Sequence, residues 1–178
     1  MHEVVRRAFA LQRARRRVFL TFVKPRRLFA PFVSIAFLLL LPTAASARVS
    51  FGDAERIDEG WRFALQDDPG AREPEFDDAS WERVRLPHDW SVKGTLDPEL
   101  ASCTGYLPGG IGWYRKTIEI PEQAGGERVF LYFEGVYNRS DVYLNGQLLC
   151  HRPSGYVSFH YDATPHVRFG EANVIAVR

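Results

Sequence analysis

The stretch Asp141-Val142-Tyr143-Leu144-Asn145-Gly146-Gln147-Leu148-Leu149-Cys150 reads as a β-hairpin, and it decides the fold class. Asn-Gly tolerates positive φ at both central positions of a type I′ turn, whose twist matches that of paired strands. Outward from it, short runs rich in aromatic and β-branched residues recur between Gly, Pro, Asn and Asp. Arg128 to Glu134 alternates, with Val129, Leu131 and Phe133 on one face. Trp113 to Ile120 is a longer run closed by Pro121, and Trp61 to Leu65 alternates up to the turn Asp67-Asp68-Pro69-Gly70. Trp81 to Leu86 stops at Pro87; Val157 to Tyr161 and Asn173 to Arg178 complete the set. No stretch keeps a helical period over a useful length. The pattern predicts an all-β domain, a sandwich or jelly roll. Pro87 to Gly112 carries many Gly and Pro and no strand pattern, and a loop that long within a compact domain is usually functional or disordered. The last apolar run, Val174 to Val177, meets the end of the sequence without a turn, which suggests a sheet that continues beyond it.

The charge is uneven. Residues 1–47 carry nine Lys/Arg against one acid, +8, and residues 48–178 carry fourteen against twenty-one, −7. An acidic domain lacks the cations that displace counterions from phosphates, which argues against a nucleic-acid partner. The first 47 residues have the three parts of a secretory signal peptide: basic runs at Arg15-Arg16-Arg17 and Lys24-Pro25-Arg26-Arg27, an apolar stretch from Leu28 to Leu41, and Ala45-Ser46-Ala47 as an Ala-x-Ala cleavage site. Fourteen apolar residues are short for a span, which needs about 20. The expectation is a signal peptide over 1–47, a β-sandwich over 48–178, no stable membrane span after cleavage, and a periplasmic or extracellular destination. In an oxidising compartment Cys103 and Cys150 could pair. Two cysteines and scattered histidines do not make a metal site, and no motif asks for a cofactor.

Four motifs, in order, resemble glycoside hydrolase family 2. Leu86-Pro87-His88-Asp89-Trp90-Ser91-Val92 is similar to its LPHDWSI motif, and Tyr106 to Lys116 (YLPGGIGWYRK) to its GYLPGGxGWYRK loop and strand. Phe133-Glu134-Gly135-Val136-Tyr137 with Asp141 to Gly146 resembles its FDGVY…EVYVNG segment, and Gly155-Tyr156, Phe159 and Asn173 to Arg178 resemble the end of its first domain. The resemblance implies a galactose-binding-like jelly-roll sugar-binding domain, followed in the family by an immunoglobulin-like domain and a (β/α)₈ barrel. That barrel carries the acid/base and nucleophile glutamates of a retaining mechanism. The PHDW and YLPGGxGWYRK pair looks most like the β-galactosidase branch, with the glucuronidase and mannosidase branches as open alternatives. This sequence stops before the family's VDN…SRWY…GIYR segment and contains no barrel. Arg139 stands where relatives often have Asn, and Cys103 and Cys150 stand where small residues are common.

The residues expected to face a β-galactoside-like carbohydrate are Asp89 and Trp90. A carboxylate accepts sugar hydroxyls and an indole covers the apolar face of the ring. Packing of Trp90 and turn-capping by Asp89 are the structural alternatives. His88 could titrate near neutrality or be a satisfied structural imidazole. Tyr106 and Trp113 frame the Gly-Gly loop as an aromatic wall, or Trp113 packs within the sandwich. Trp61 and Trp81 read as core. Asp77-Asp78 and Glu73/Glu75 read as solvated turn acids rather than a glycosidase pair, so no catalytic residue is assigned. Asn138-Arg139-Ser140 fits a glycosylation sequon. Three functions follow: the non-catalytic N-terminal part of a β-galactosidase-like hydrolase, a subunit completing a separately encoded barrel, or a stand-alone carbohydrate-binding module.

Overall fold

The computed structural model describes residues 18–23 and 53–178. Ten strands form two sheets: β1 Val18–Val23, β2 Asp53–Arg56, β3 Trp61–Ala64, β4 Glu82–Val84, β5 Trp113–Glu119, β6 Arg128–Phe133, β7 Ser140–Leu144, β8 Gln147–Arg152, β9 Phe159–Asp162 and β10 Ala172–Val177. One sheet has the order β2-β1-β6-β9, the other β4-β3-β5-β10-β7-β8. Every pairing among the described strands is antiparallel. The all-β sandwich expected from the alternation is the fold observed. Among the described residues the helical pieces are four single 3₁₀ turns.

Period-two alternation builds the core. Val129, Leu131 and Phe133 of β6 face Val142 and Leu144 of β7, Ile175 and Val177 of β10, and Trp61 and Phe63 of β3 in one apolar cluster. Fully burying a side chain such as Leu131 stabilises by about 2–3 kcal/mol. Trp61 is fully buried and satisfies its indole by donating to the Ile57 carbonyl at 2.6 Å. The β7–β8 turn has φ of 50° at Asn145 and 82° at Gly146, as a type I′ turn requires. Asn145 does more than turn the chain. Its Nδ2 donates to the His166 carbonyl and to Asn173 Oδ1, each at 2.9 Å, and its Oδ1 accepts from the Val174 N–H. Asn173, with no exposed surface, returns its Nδ2 to the Arg168 and Glu171 carbonyls. Buried amide groups of this kind persist because each donor and acceptor is used.

The outer face of the six-stranded sheet is also buried at its centre. Trp81, Trp113, Ala71 and Ala176 form a second cluster with Phe76 and Tyr143 against it. The segment 65–81 covers this face, and Arg115 of β5 pins it. The Arg115 guanidinium is 3% exposed; it pairs with Asp78 at 2.8 Å and donates to the carbonyls of Ala71, Glu73, Pro74 and Phe76. The turn acids expected to be solvated are therefore partly engaged: Asp78 also meets Arg62 at 3.3 Å, and Glu73 pairs with Arg72. Trp81 is core as expected, but of this outer cluster.

Two strands were not anticipated. The β2 sequence Asp-Ala-Glu-Arg has no apolar alternation. Strand β1 falls inside the segment expected to be an export signal, whose apolar stretch and Ala45-Ser46-Ala47 lie outside the described residues. Cys150 is a free, exposed thiol, so the pairing with Cys103 that its compartment would allow is not made; its S–H lies 3.4 Å from the His151 carbonyl. No described helix is long and apolar enough to cross a membrane.

The Arg115 contacts lead to a direct test. Arg115→Ala leaves several buried carbonyls without their donor and the half-buried Asp78 with Arg62 alone, and should cost about 3 kcal/mol in urea unfolding. Arg62→Ala, removing a partly exposed partner of the same Asp78, should cost no more than about 1 kcal/mol. Equal losses would show that Arg115 is not the pin.

Candidate functional site

The loop from Pro87 to Gly112 is held by its own aromatic residues. Trp90 lies over Phe63 with ring centroids 6.4 Å apart and planes 19° from parallel, and His88 meets Phe63 edge-on at 5.0 Å. His88 Nδ1 and the Tyr114 hydroxyl share a hydrogen bond of 2.9 Å. These rings continue the apolar core at the end of the sandwich, so Trp90 anchors the loop instead of standing out from it. Gly112 is where the loop rejoins β5; a Cβ there would come within 2.7 Å of Phe63, so only glycine lets the loop lie this close. Asp89 is exposed, and its Oδ1 accepts from the Ser91 N–H at 3.1 Å and the Ser91 hydroxyl at 2.6 Å. That is an Asx turn, with the second carboxylate oxygen directed elsewhere. Tyr106 is 46% exposed and sits at φ 61°. With Val92, Leu96 and Ile111 it gives the loop an apolar outer surface.

Trp113 goes to a different place. Successive residues of a strand face opposite sides. Tyr114 therefore points into the core with His88, while Trp113 points to the outer face and stacks on Tyr143 at 5.8 Å. The structure thus gathers His88 and Trp90 at one end of the core and sets Trp113 on the far side of β5.

Around Trp113 lies a cleft of about 200 Å³ lined by Asp67, Pro69, Arg72, Asp141, Tyr143 and Arg178. Arg178 forks onto Asp67 with two contacts of 2.7 Å, and its Nη1 lies 3.6 Å from Asp141 Oδ2. Asp141 Oδ1 meets His151 Nδ1 at 2.6 Å. The Arg178 guanidinium, with a smaller contribution from the Trp113 indole, holds the Asp67 carboxyl below its ordinary value despite an opposing effect of desolvation. The Trp113 Nε1–H is buried without a well-aligned acceptor. Trp113 is 1% exposed and packs beneath the cleft as part of the outer cluster, so the cleft offers its polar rim of carboxylates and guanidinium groups, which can bond hydroxyls, and no open indole face. Both carboxylates of the cleft are engaged by Arg178, unlike the free acid and free nucleophile of a glycosidase pair. Among the described residues no group of three or more His, Cys, Asp or Glu is placed to hold a metal.

Sequence reasoning reached Trp113 in this cleft and passed over the rest. Asp141 and Tyr143 carried a usable signal, since they alternate with Val142 and Leu144 and must share the outer face. Asp67 and Arg178 are 111 residues apart and nothing in the order of residues joins them.

Burial, and then the nearby Lys93, push the His88 imidazole below its ordinary value, against smaller opposing effects of Glu82 and Asp89. Burial keeps the Tyr114 phenol protonated well above its ordinary range. The unfolded imidazole titrates at about 6.5 and takes up its proton before the folded one. Stability should therefore fall as the pH drops through and below the unfolded value of about 6.5, and His88→Gln should remove that component of the fall. Urea midpoints across this range check it; an identical pH dependence in the variant would contradict it.

Comparison with known proteins places this geometry. Residues 54–178 match the family model described as "Glycosyl hydrolases family 2, sugar binding domain". The chain is 43% identical over 137 residues to the β-galactosidase BoGH2A of Bacteroides ovatus, covering 76% of this chain and 16% of that protein. It is 41% identical over 132 residues to a putative β-glucuronidase of Formosa agariphila, covering 71% and 13%. Among solved structures, a β-glycosidase from Bacteroides vulgatus superposes with a TM-score of 0.63 at 44% identity, covering 67% of this chain and 16% of that one. The chain thus spans about a sixth of the length of such relatives. The motifs, the sandwich they build and the match over residues 54–178 together show that the chain belongs to glycoside hydrolase family 2, through its sugar-binding domain.

Proposed function

We propose that this chain is the non-catalytic, sugar-facing N-terminal part of an exported β-galactosidase-like retaining hydrolase, which cleaves O-glycosidic bonds with a barrel supplied by further polypeptide. The match to the sugar-binding domain over one end of much longer relatives carries this reading. The carboxylates support it: Asp67 and Asp141 are tied to Arg178, Asp78 to Arg115, and Asp89 to Ser91, so none is arranged as an acid–nucleophile pair. A β-galactoside fits the cleft better than a glucuronide does. Arg178 is already bound to two carboxylates and Arg72 pairs with Glu73, which leaves little for a sugar carboxylate. In this role the loop and cleft are walls that orient the sugar, while the barrel performs the chemistry. A subunit that completes a separately encoded barrel would use the same surfaces. The exposed Val92, Leu96, Tyr106 and Ile111 give that variant its supporting observation.

A chimera tests the proposal. Residues 54–178 replace the matched segment of the Bacteroides ovatus β-galactosidase, and hydrolysis of an aryl β-galactoside is measured. The chimera should turn over substrate and the chain alone should not. Turnover by the isolated chain, or a folded chimera without activity, would overturn the reading. Within an active chimera, Tyr106→Ala should raise KM about threefold to tenfold with a smaller change in kcat, as expected for loss of one aromatic contact to the substrate.

A further inference from the structure

Strand β1 occupies an interior position. It lies between β2 and β6, paired with β6 over all six residues from Val18↔Phe133 to Val23↔Arg128 and with β2 over four. Val18 and Leu20 are buried in the main core with Val129, Leu131 and Phe133. The Val18 carbonyl also accepts from the Ile57 N–H at 3.3 Å. Neither neighbour adjoins it closely in sequence: β6 is over a hundred residues away, and residues 24–52 separate it from β2. An interior strand so connected is held by ladder hydrogen bonds and side-chain burial.

Its removal would expose two edges at once. The facing N–H and C=O groups of β2 and β6 would stand about 10 Å apart, the width of one missing strand. Val129, Leu131 and Phe133 would lose their cover on that side. Such a gap accepts an extended segment by backbone pairing, with selectivity coming from alternate side chains. Any occupant needs apolar residues at the positions of Val18 and Leu20.

We propose that the gap between β2 and β6 is a strand-accepting site. Val18–Val23 fills it in the full chain, and a chain cut after Ala47 takes up there a separate extended segment of the same alternating apolar chemistry. The inference rests on the sheet order and core burial, and is independent of the carbohydrate reading. It also means that, after removal of residues 1–47, this sheet closes only when another strand is supplied.

The test uses the full chain with a protease recognition sequence inserted between Ala47 and Arg48. After cutting, a labelled peptide of residues 16–25 should exchange into the protein or raise its soluble yield on refolding. The same peptide carrying Leu20→Asp should bind about tenfold or more weakly, because a carboxylate would replace a buried leucine. In the uncut chain with Cys103→Ser and Cys150→Ser, the pair Phe19→Cys and Tyr132→Cys, opposite each other in the β1–β6 register, should cross-link on oxidation. A peptide that neither exchanges nor aids refolding, equal binding by both peptides, or no cross-link would overturn the proposal.

Discussion

The Arg115 guanidinium is the constraint from which the outer half of the molecule follows. A β-sandwich normally leaves the outer face of each sheet to water. Here the centre of the six-stranded sheet is covered on both sides, because Arg115 gathers Asp78 and four backbone carbonyls of segment 65–81 onto it. A buried guanidinium is tolerated only when its donors are well used. Once the segment is pinned, Trp81, Ala71 and Phe76 pack over Ala176 and Trp113, and Asp67 comes within reach of Arg178. The cleft lies where Asp67, Pro69 and Arg72 of this cover meet Asp141, Tyr143 and Arg178 of the sheet.

The inner half is organised differently. Alternating apolar residues fill it, and the two asparagines Asn145 and Asn173 lock its β7–β10 end with bonds that water cannot replace. Phe63, His88, Trp90 and Tyr114 lock the other end. The Pro87–Gly112 loop is thus rooted by half-buried rings packed on Phe63 while its outer surface stays apolar and open. Such a rigid root with a free surface is suited to forming one wall of a site whose remaining walls belong to other polypeptide.

The carboxylates connect this architecture to function. Asp67, Asp78, Asp89 and Asp141 each serve a structural bond. A glycosidase needs one carboxyl free to give a proton and another free to attack. These four acids go into shape, and the family's sugar-binding domain is one part of a much longer protein.

What could be read from the residues follows from the locality of the signal. The Asn145-Gly146 turn, the alternation of β3, β6 and β7, and the absence of a strand pattern in Pro87–Gly112 are all stated within a few neighbouring residues. The sequence alone was therefore sufficient for the all-β class, most strands and the family resemblance. Strand β2 was illegible because Asp-Ala-Glu-Arg becomes a strand only by pairing with β1, and β1 was read by its basic, apolar context as part of an export signal. The roles of Arg115, Asp67 and Arg178 were equally hidden, since an arginine on an alternating strand looks solvent-facing until a distant loop covers it. His88 and Trp90 were singled out from their motif, but whether they touch sugar or core was a question of which face their backbone presents. Alternation and turn chemistry are local and survive in the linear order of residues; burial, ion pairing and the cleft arise between segments up to 111 residues apart, and exist only once packing has brought those segments together.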